Sequence, residues 1–373
     1  MSAPLRLAYL SLQAVVEGQD TWAAVNEVIS GFERAGCVVE RFFPQYGGYG
    51  GASSPSPIRR LIEMIRVQRR LARRIPSLDA VYIRAHPLAL AAARAAHEAG
   101  VPVIQECNGP YEDLFVAWPA TRPFRPLFES MQRWQYRKAD AIISVAEGLT
   151  EWLSKESGNP HIVTNGNGAN DEVFRPDAPP WPTLPGRYAV FFGQFPAWQG
   201  IGSVLEAVRH VEWPADVAMV FVGDGAMRPA VERAVQELPG RVFYLGRLPY
   251  GDVPRVAAHA VCSLVPMVMP ERDAKFSPLK LYESMACGVP VVASDTVGIS
   301  EVVREHRCGL LVPPGDAAAI ARAVATLAAD PATAAEMGRR GREAVEQRYS
   351  WKVRAQQRLE VVLQALRRRR EGC

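Results

Sequence analysis

The chain has 373 residues, which is enough for two domains of ordinary size, each with its own hydrophobic core. Its net charge of +4, with 48% hydrophobic and 22% charged residues, is typical of a soluble globular protein and too small to indicate a nucleic-acid partner. No stretch resembles a signal peptide, and no apolar run reaches about 18 residues, so we expect no membrane-spanning segment.

The six cysteines are scattered through apolar segments, and no two of them are closely spaced. This pattern argues against a disulfide framework or a zinc site, both of which need paired cysteines. We therefore expect buried free thiols and a cytoplasmic protein.

The first half of the chain alternates apolar strands with helices. Strands are predicted at 5–12, 37–43, 80–87, 101–107 and 140–146, and helices at about 22–35, 57–75 and 122–138. This alternation predicts a doubly wound α/β domain with a parallel sheet, in which ligands bind beyond the carboxyl ends of the strands. Gly18, in the loop after the first strand, would let a substrate approach the backbone there. A Gly-x-Gly-x-x-Gly fingerprint is absent from that loop, which argues against an NAD enzyme.

The predicted helix 57–75 combines an apolar stripe with many arginines. Seven arginines and one glutamate accompany the stripe, which comprises Ile58, Leu61, Ile62, Ile65 and Leu71. One interpretation is a helix that packs its stripe on the core and exposes a solvated basic face. The other is a surface that meets anionic lipid headgroups or a lipid-diphosphate acceptor. The sequence leaves both interpretations open.

The second half repeats the alternation after a proline-rich linker at 177–187. Strand-like runs begin at residues 188, 217, 241, 261, 289 and 309, which predicts a second doubly wound domain. The chain ends in an amphipathic helix, 350–370, that closes with four arginines. These arginines either compensate the helix dipole or form a second surface for a membrane.

The stretch 275–295 carries the strongest chemical signal. Ser277 and Pro278 form a helix-start signature. The serine hydroxyl can accept hydrogen bonds from the first backbone N–H groups, which have no partner within the helix, and the proline follows as the first helical residue. Gly288 ends the helix, and the apolar run after it predicts a buried parallel strand. A helix N-terminus beside such a strand end favours phosphate. Glu283, further along the helix, could accept hydrogen bonds from a ribose diol.

The run 277–316, SPLKLYESMACGVPVVASDTVGISEVVREHRCGLLVPPGD, resembles the donor-binding segment of the family 4 retaining glycosyltransferases. The runs 161–176, 220–235 and 246–260 resemble further segments of that family in the same order. The resemblance implies the GT-B fold, with two doubly wound Rossmann-like domains facing a central cleft. It implies an acceptor-binding domain at 1–175 that includes the returning helix 350–373, and a nucleotide-sugar-binding domain at 176–349.

The resemblance also implies donor-binding residues. In the family a pair of glutamates flanks the start of the key helix, and the second glutamate, which holds the ribose, matches Glu283. The first falls on Lys275, which is not acidic. Further donor contacts are implied at Phe276, Ser277, Pro278 and Leu279, at Gly18, at Gly223 in the Gly-Asp-Gly turn, and at Arg247 and Leu248 beside the base.

Two more positions depart from the family pattern. The arginine and the lysine that neutralise the donor diphosphate are replaced by Gln194 and Gln199, which can donate hydrogen bonds but carry no charge. We expect Lys280 to supply the charge, with Lys275 or Arg272 as alternatives.

The third departure lies in the first domain. The family's histidine near the reacting sugar falls on Asn108, with Glu106 nearby, and an amide cannot shuttle a proton. The candidate catalytic residues are therefore Lys280, Asn108 and Glu106.

By this resemblance the chain moves a sugar, with retention of configuration, from a UDP- or GDP-sugar to an acceptor, without a metal or another cofactor. Bacterial surface polysaccharide, glycolipid and natural-product assembly are the expected settings, and a lipid-linked acceptor is one alternative. The expected location is the cytoplasm, with peripheral attachment to the inner face of the cell membrane as an alternative. Because several expected residues are substituted, a degenerate partner subunit that binds the nucleotide-sugar without turnover is the second hypothesis.

Overall fold

The computed structural model describes residues 3–17, 20–45, 56–268 and 277–371. The chain divides into two compact units, the first comprising Met1–Gly166 with Arg354–Cys373 and the second comprising Asn167–Val353. The chain thus enters the second unit at Asn167 and returns to the first at Arg354.

The first unit contains a six-stranded parallel sheet with the strand order β2-β1-β3-β4-β5-β6. Its strands are β1 Arg6–Leu10, β2 Val38–Phe42, β3 Ala80–Arg84, β4 Val103–Cys107, β5 Ala141–Ser144 and β6 Ile162–Thr164. Its helices are α1 Asp20–Arg34, α2 Pro57–Arg74, α3 Leu90–Glu98, α4 Glu112–Ala117, α5 Arg125–Lys138 and α6 Glu147–Ser157. The strands β3, β4 and β5 are almost wholly buried, as expected for a parallel sheet covered on both faces.

The second unit repeats this architecture with the strand order β12-β11-β10-β7-β8-β9. Its strands are β7 Tyr188–Gln194, β8 Ala218–Asp224, β9 Val242–Tyr244, β10 Cys262–Val265, β11 Val291–Ser294 and β12 Gly309–Val312. Its helices are α7 Ile201–Arg209, α8 Arg228–Glu237, α9 Pro254–Ala257, α10 Leu279–Ala286, α11 Ile299–His306, α12 Ala317–Ala329 and α13 Pro331–Ala344. The last helix, α14 Trp351–Glu371, carries the chain back into the first unit. Two such sheets confirm the predicted fold class.

The strand orders locate the ligand-binding edge of each sheet. In the second sheet the order changes direction between β7 and β10, and in the first between β1 and β3. Ligands of open α/β sheets bind outside the carboxyl ends of the strands at such switch points. The end of β7 is therefore the expected ligand position in the second unit.

The apolar stripe on α2 is only partly buried. Leu71 is fully buried, but Ile58, Leu61, Ile62 and Ile65 are 72%, 48%, 44% and 40% exposed. From Met64 onward α2 packs on the core of the first unit, through Met64, Val67, Leu71 and the following residue Ile75. The N-terminal half therefore presents apolar side chains together with its arginines.

The predicted helix 122–138 begins later than expected. Residues Pro119–Phe124 form a 3₁₀ turn, and the α-helix starts at Arg125. Pro123 and Pro126 explain the delay, because proline lacks the N–H group that an α-helical hydrogen bond needs and is tolerated only in the first turn.

Candidate functional site

The carboxyl edge of the second sheet brings two turns into close contact. Strands β7 and β8 pair in register, with Gly193 opposite Gly223 and Gln194 opposite Asp224. Gly223 has φ +138°, and a Cβ there would stand 1.8 Å from the carbonyl oxygen of Gly193. Glycine is therefore required at 223 by the close approach of the two strand ends. This explains the first glycine of the Gly-Asp-Gly motif.

Lys280 lies in the first turn of α10 and reaches this same edge. Its side chain is buried, with a relative exposure of 7%, and its Nζ donates a hydrogen bond of 2.6 Å to Oε1 of Gln199. The Nζ also lies 3.4 Å from the centroid of the Phe191 ring. The lysine methylenes pass Gly193, where a Cβ would stand 3.6 Å from Cε of Lys280. The structure thus brings together Lys280 and Gln199, two of the predicted donor-site residues.

The start of α10 differs from the prediction at Ser277 and Pro278. Pro278 has ψ 123°, so it lies before the helix, which begins at Leu279. The Ser277 hydroxyl does not cap the helix, because it accepts a 3.0 Å hydrogen bond from the backbone N–H of Asn167. Asn167 also donates its side-chain amide to the Ser277 carbonyl at 2.7 Å. The predicted serine cap was therefore wrong.

The N-terminus of α10 has no side-chain cap among the residues that the structure describes. A helix N-terminus carries a partial positive charge, so this end of α10 and the ammonium of Lys280 have the same sign. Together they form an electropositive edge that suits an anion.

The remaining predicted donor residues lie on neighbouring elements of the second unit. Glu283 is buried on α10, one turn after Lys280. Arg247 is exposed beside the Gly-Asp-Gly turn, with its Nε 3.4 Å from Oδ2 of Asp224. Leu248 is partly buried against the core of the second unit. Their predicted roles toward a donor stay predictions.

Three predicted donor residues, Gly18, Lys275 and Phe276, lie outside the described residues, as does the alternative cation Arg272. Of the proposed charge suppliers, the structure therefore describes only Lys280.

In the first unit, Asn108 and Glu106 form one hydrogen-bonded group at the end of β4. The Asn108 amide donates to Oε1 of Glu106 at 2.7 Å. Glu106 is 1% exposed and also accepts from Tyr82 at 2.7 Å, from Arg84 at 2.8 Å and from Arg358 at 3.4 Å. Burial raises the pKa of Glu106, but the guanidinium groups of Arg358 and Arg84 and the hydrogen bonds outweigh burial and hold the pKa below its ordinary value. Glu106 is therefore a buried carboxylate ion.

Sequence reasoning missed Arg358, which completes this group from α14. Its side chain is fully buried and donates to Oδ1 of Asn165 at 2.8 Å as well as to Glu106. The available signal was its position, because Arg358 lies between the buried residues Ala355 and Val362 on the apolar face of the helix. A charged residue on an apolar face needs a buried partner of opposite charge.

We expect the loss of Arg358 to destabilise the first unit strongly. Arg358→Ala should cost about 3–5 kcal/mol of unfolding free energy, because it removes one of the two guanidinium partners of the buried Glu106 carboxylate and all the hydrogen bonds that Arg358 donates to Asn165. The double variant Arg358→Met, Glu106→Gln removes both charges and should recover much of that loss. Urea denaturation of both variants, with the exposed Arg367→Met as the control, measures this. Equal stability of Arg358→Ala and the control would contradict the assignment.

Three further findings concern metal sites, membrane-spanning helices and cysteines. Within the described parts of the chain, no three His, Cys, Asp or Glu side chains are grouped closely enough to hold a metal ion. No helix in the same residues is both long and apolar enough to cross a membrane. Cys37, Cys107, Cys262, Cys287 and Cys308 are buried free thiols, as expected.

Two family models match the chain. Residues 17–168 match the glycosyl transferase 4-like domain, and residues 186–330 match the model described as glycosyl transferases group 1. The two matched segments fall on either side of the proline-rich linker and together account for most of the chain.

Curated relatives agree with this assignment. The chain is 29% identical to the alpha-maltose-1-phosphate synthase of Mycolicibacterium smegmatis, over 62% of this chain and 65% of the relative. It is also 29% identical to the phosphatidyl-myo-inositol mannosyltransferase of Mycobacterium leprae, over 62% of this chain and 61% of the relative. The matches thus span somewhat less than two thirds of the length of these relatives.

A solved structure has the same fold. Anabaena HepE in complex with UDP-glucose superposes with a TM-score of 0.71 at 17% identity, covering 96% of this chain and 100% of that one. With the two family models and the two six-stranded parallel sheets, this confirms the resemblance found in the sequence. The chain belongs to the GT-B glycosyltransferases that combine a glycosyl transferase 4-like domain with a group 1 domain.

Proposed function

We propose that this chain transfers a sugar from a nucleoside-diphosphate-sugar, a UDP- or GDP-sugar, to an acceptor hydroxyl. The observation that carries the proposal is the buried ammonium of Lys280 in the first turn of α10, beside the end of β7. The family membership supports the reaction class. That HepE was solved with UDP-glucose supports a nucleotide-sugar as the donor.

The donor diphosphate is proposed to bind at the N-terminus of α10. Backbone N–H groups and the helix dipole favour phosphate there, and Lys280 adds a full positive charge. Gln194 and Gln199 can donate amide hydrogens to phosphate oxygens in place of the charged residues usual in the family. Gly193, which has no side chain, lets the Lys280 side chain pass close to the end of β7.

The nucleoside is proposed to extend from this diphosphate across the strand ends of the second unit. Glu283 accepts hydrogen bonds from the ribose diol, and Arg247 and Leu248 lie beside the base. Gly223 keeps the turn after β8 close to β7. Leu279 and Pro278 shape the backbone at the start of α10.

The reaction needs stabilisation of the leaving group above all. As the bond from the anomeric carbon to the phosphate oxygen breaks, negative charge grows on the diphosphate, and a fixed ammonium stabilises that charge most in the transition state. The acceptor oxygen forms the new bond to the anomeric carbon on the same face. Its proton passes to a phosphate oxygen of the leaving group, so configuration is retained and no protein base is required.

Asn108 and Glu106 have separate proposed roles. The Asn108 amide can hydrogen-bond a sugar hydroxyl, and Glu106 fixes that amide through the 2.7 Å hydrogen bond between them. Glu106 is too deeply buried to touch a substrate and acts through Asn108 as a positioning residue.

Replacing Lys280 should separate catalysis from binding. Lys280→Met keeps most of the side-chain volume and removes the charge, so turnover should fall about 100- to 1,000-fold, the scale for one preorganised stabiliser. Nucleoside diphosphate affinity should fall much less, because the charge on the leaving group is smaller in the ground state. Initial rates of donor hydrolysis or transfer, beside nucleotide titrations, measure the two effects.

The control for this test is Lys155→Met, an exposed lysine of the first unit whose loss should change neither quantity. If Lys280→Met turns over as fast as the parent, Lys280 is not the charge supplier. If the parent binds nucleoside diphosphate yet neither hydrolyses nor transfers the sugar, the degenerate partner subunit replaces the enzyme as the better hypothesis.

Glu283 can be tested through the ribose itself. The parent should prefer UDP or GDP over the matching 2′,3′-dideoxynucleotide by about 1.5–3 kcal/mol, the value of hydrogen bonds to a charged group. Glu283→Ala should abolish that preference, whereas the exposed Glu206→Ala should retain it. Calorimetric titration of each nucleotide measures the preference. A parent that binds both nucleotides equally would refute the ribose assignment.

The first unit is proposed to attach peripherally to the anionic inner face of a membrane. The N-terminal half of α2 exposes both arginines and apolar side chains, which is the composition of an interfacial helix. Trp118, which is 46% exposed, lies under the guanidinium of Arg60 at 4.6 Å and adds an aromatic side chain of the kind that favours interfaces. A relative named for a mannosyltransferase acting on phosphatidyl-myo-inositol supports glycolipid assembly as the setting.

Membrane attachment predicts salt-sensitive binding to anionic vesicles. Each arginine near the surface contributes about 1 kcal/mol, so the triple variant Arg59→Gln, Arg60→Gln, Arg66→Gln should bind phosphatidylglycerol vesicles far more weakly than the parent. The matched control replaces three exposed arginines of the second unit, Arg233, Arg304 and Arg322, by glutamine. Co-sedimentation at low and high salt is the measurement. A parent that stays in the supernatant at low salt would exclude the attachment.

A further inference from the structure

A cavity of about 350 Å³ opens in the first unit between α2, α3, α5 and the 3₁₀ turn at Pro87–Ala89. Seven of its nine lining side chains are apolar, and the two polar ones are Gln68 and Arg94. Gln68 is internally satisfied, since its amide donates to the Met64 carbonyl at 3.3 Å and accepts from the Ala92 N–H at 3.1 Å. The interior therefore suits an apolar ligand, because a water molecule there would find few polar partners.

The cavity continues onto the exposed apolar face of α2. Leu61 and Ile65 line the cavity and are also 48% and 40% exposed, so they form its mouth. On α5, Met131 lines the cavity, and Leu127, one turn earlier, is 57% exposed. A large exposed apolar patch that leads into an apolar cavity is typical of a binding surface.

One of the residues that line the cavity carries a positive charge. Arg94 belongs to the lining, and its side chain is 59% exposed. Its guanidinium lies 3.8 Å from the exposed carboxylate of Glu98 and 5.8 Å from the centroid of the Trp134 ring. On α2 the exposed Arg69 directly follows the lining residue Gln68. A ligand that complements this arrangement has an anionic head and an apolar tail.

The volume of the cavity decides whether a protein helix or a single hydrocarbon chain can occupy it. At about 350 Å³ the cavity is near the lower end of the range for small-molecule sites. A protein helix, about 10 Å across with its side chains, would need a long groove instead. A single hydrocarbon chain can enter through the mouth between α2 and α5.

We propose that this cavity binds one acyl chain of an anionic phospholipid, with Arg94 beside the lipid phosphate. This inference rests on the proposed membrane attachment and does not depend on the sugar-transfer reaction. Lipid that is held in this way would anchor the first unit at a fixed depth, with Ile58 and Ile62 in contact with the neighbouring lipid.

The test uses hexyl, octyl and decyl phosphate below their micellar concentrations. Affinity for the parent should rise about fourfold for each added methylene until the cavity is filled. Ala91→Trp places an indole at the exposed mouth and should abolish the dependence on chain length. Ile58→Ser, on the same exposed face but outside the cavity, is the matched control and should retain it.

A second variant tests the head group. Arg94→Gln should lower the affinity for decyl phosphate about tenfold and leave the affinity for neutral decyl glucoside unchanged. The proposal would be overturned if the affinity of the parent for alkyl phosphates did not depend on chain length. It would also be overturned if Ala91→Trp showed the same dependence on chain length as the parent. Because the titrations contain no nucleotide, they stand apart from the donor-binding tests, and either result can fail alone.

Discussion

The proposed donor site of the second unit depends on how a buried lysine ammonium is stabilised. Lys280 is 7% exposed, and its Nζ is stabilised by the Gln199 carbonyl oxygen at 2.6 Å and by the face of Phe191 at 3.4 Å. Burial of a cation is costly unless hydrogen bonds or a ring face stabilise it. A cation fixed in this way cannot reorganise much when an anion arrives, which is the property that a transition-state stabiliser needs.

The first unit buries a charge of the opposite sign, the carboxylate of Glu106. Glu106 stays ionised because Arg84 and Arg358 approach it and because Tyr82 and Asn108 donate to it. Since Arg358 comes from α14, the C-terminal helix is fixed in the first unit by a charge pair as well as by apolar packing. The same carboxylate orients Asn108, so the stability of α14 and the position of a proposed substrate-binding amide are linked through one buried group.

Much of this fold could be predicted from the sequence, because strands and helices alternate with clear periodicity and turn signals. The bounds of α2 and of the β-strands agree with the prediction to within a few residues. Periodicity identifies an apolar face but not whether another element covers it, which is why the sequence left two interpretations open for the stripe that includes Ile58, Leu61, Ile62 and Ile65. The Ser277 cap was wrong for a related reason, since the N–H of Asn167, distant in sequence, is the partner of its hydroxyl. Arg358 was missed because a buried charge is understood only with its partner.

The central claim is that Lys280 and the N-terminus of α10 hold the donor diphosphate. A crystal structure of the protein with UDP or GDP tests this most directly. We expect a phosphate oxygen within about 3 Å of the Lys280 Nζ and another within the same distance of a backbone N–H in the first turn of α10. A diphosphate bound elsewhere, with Lys280 making no contact to it, would contradict the account.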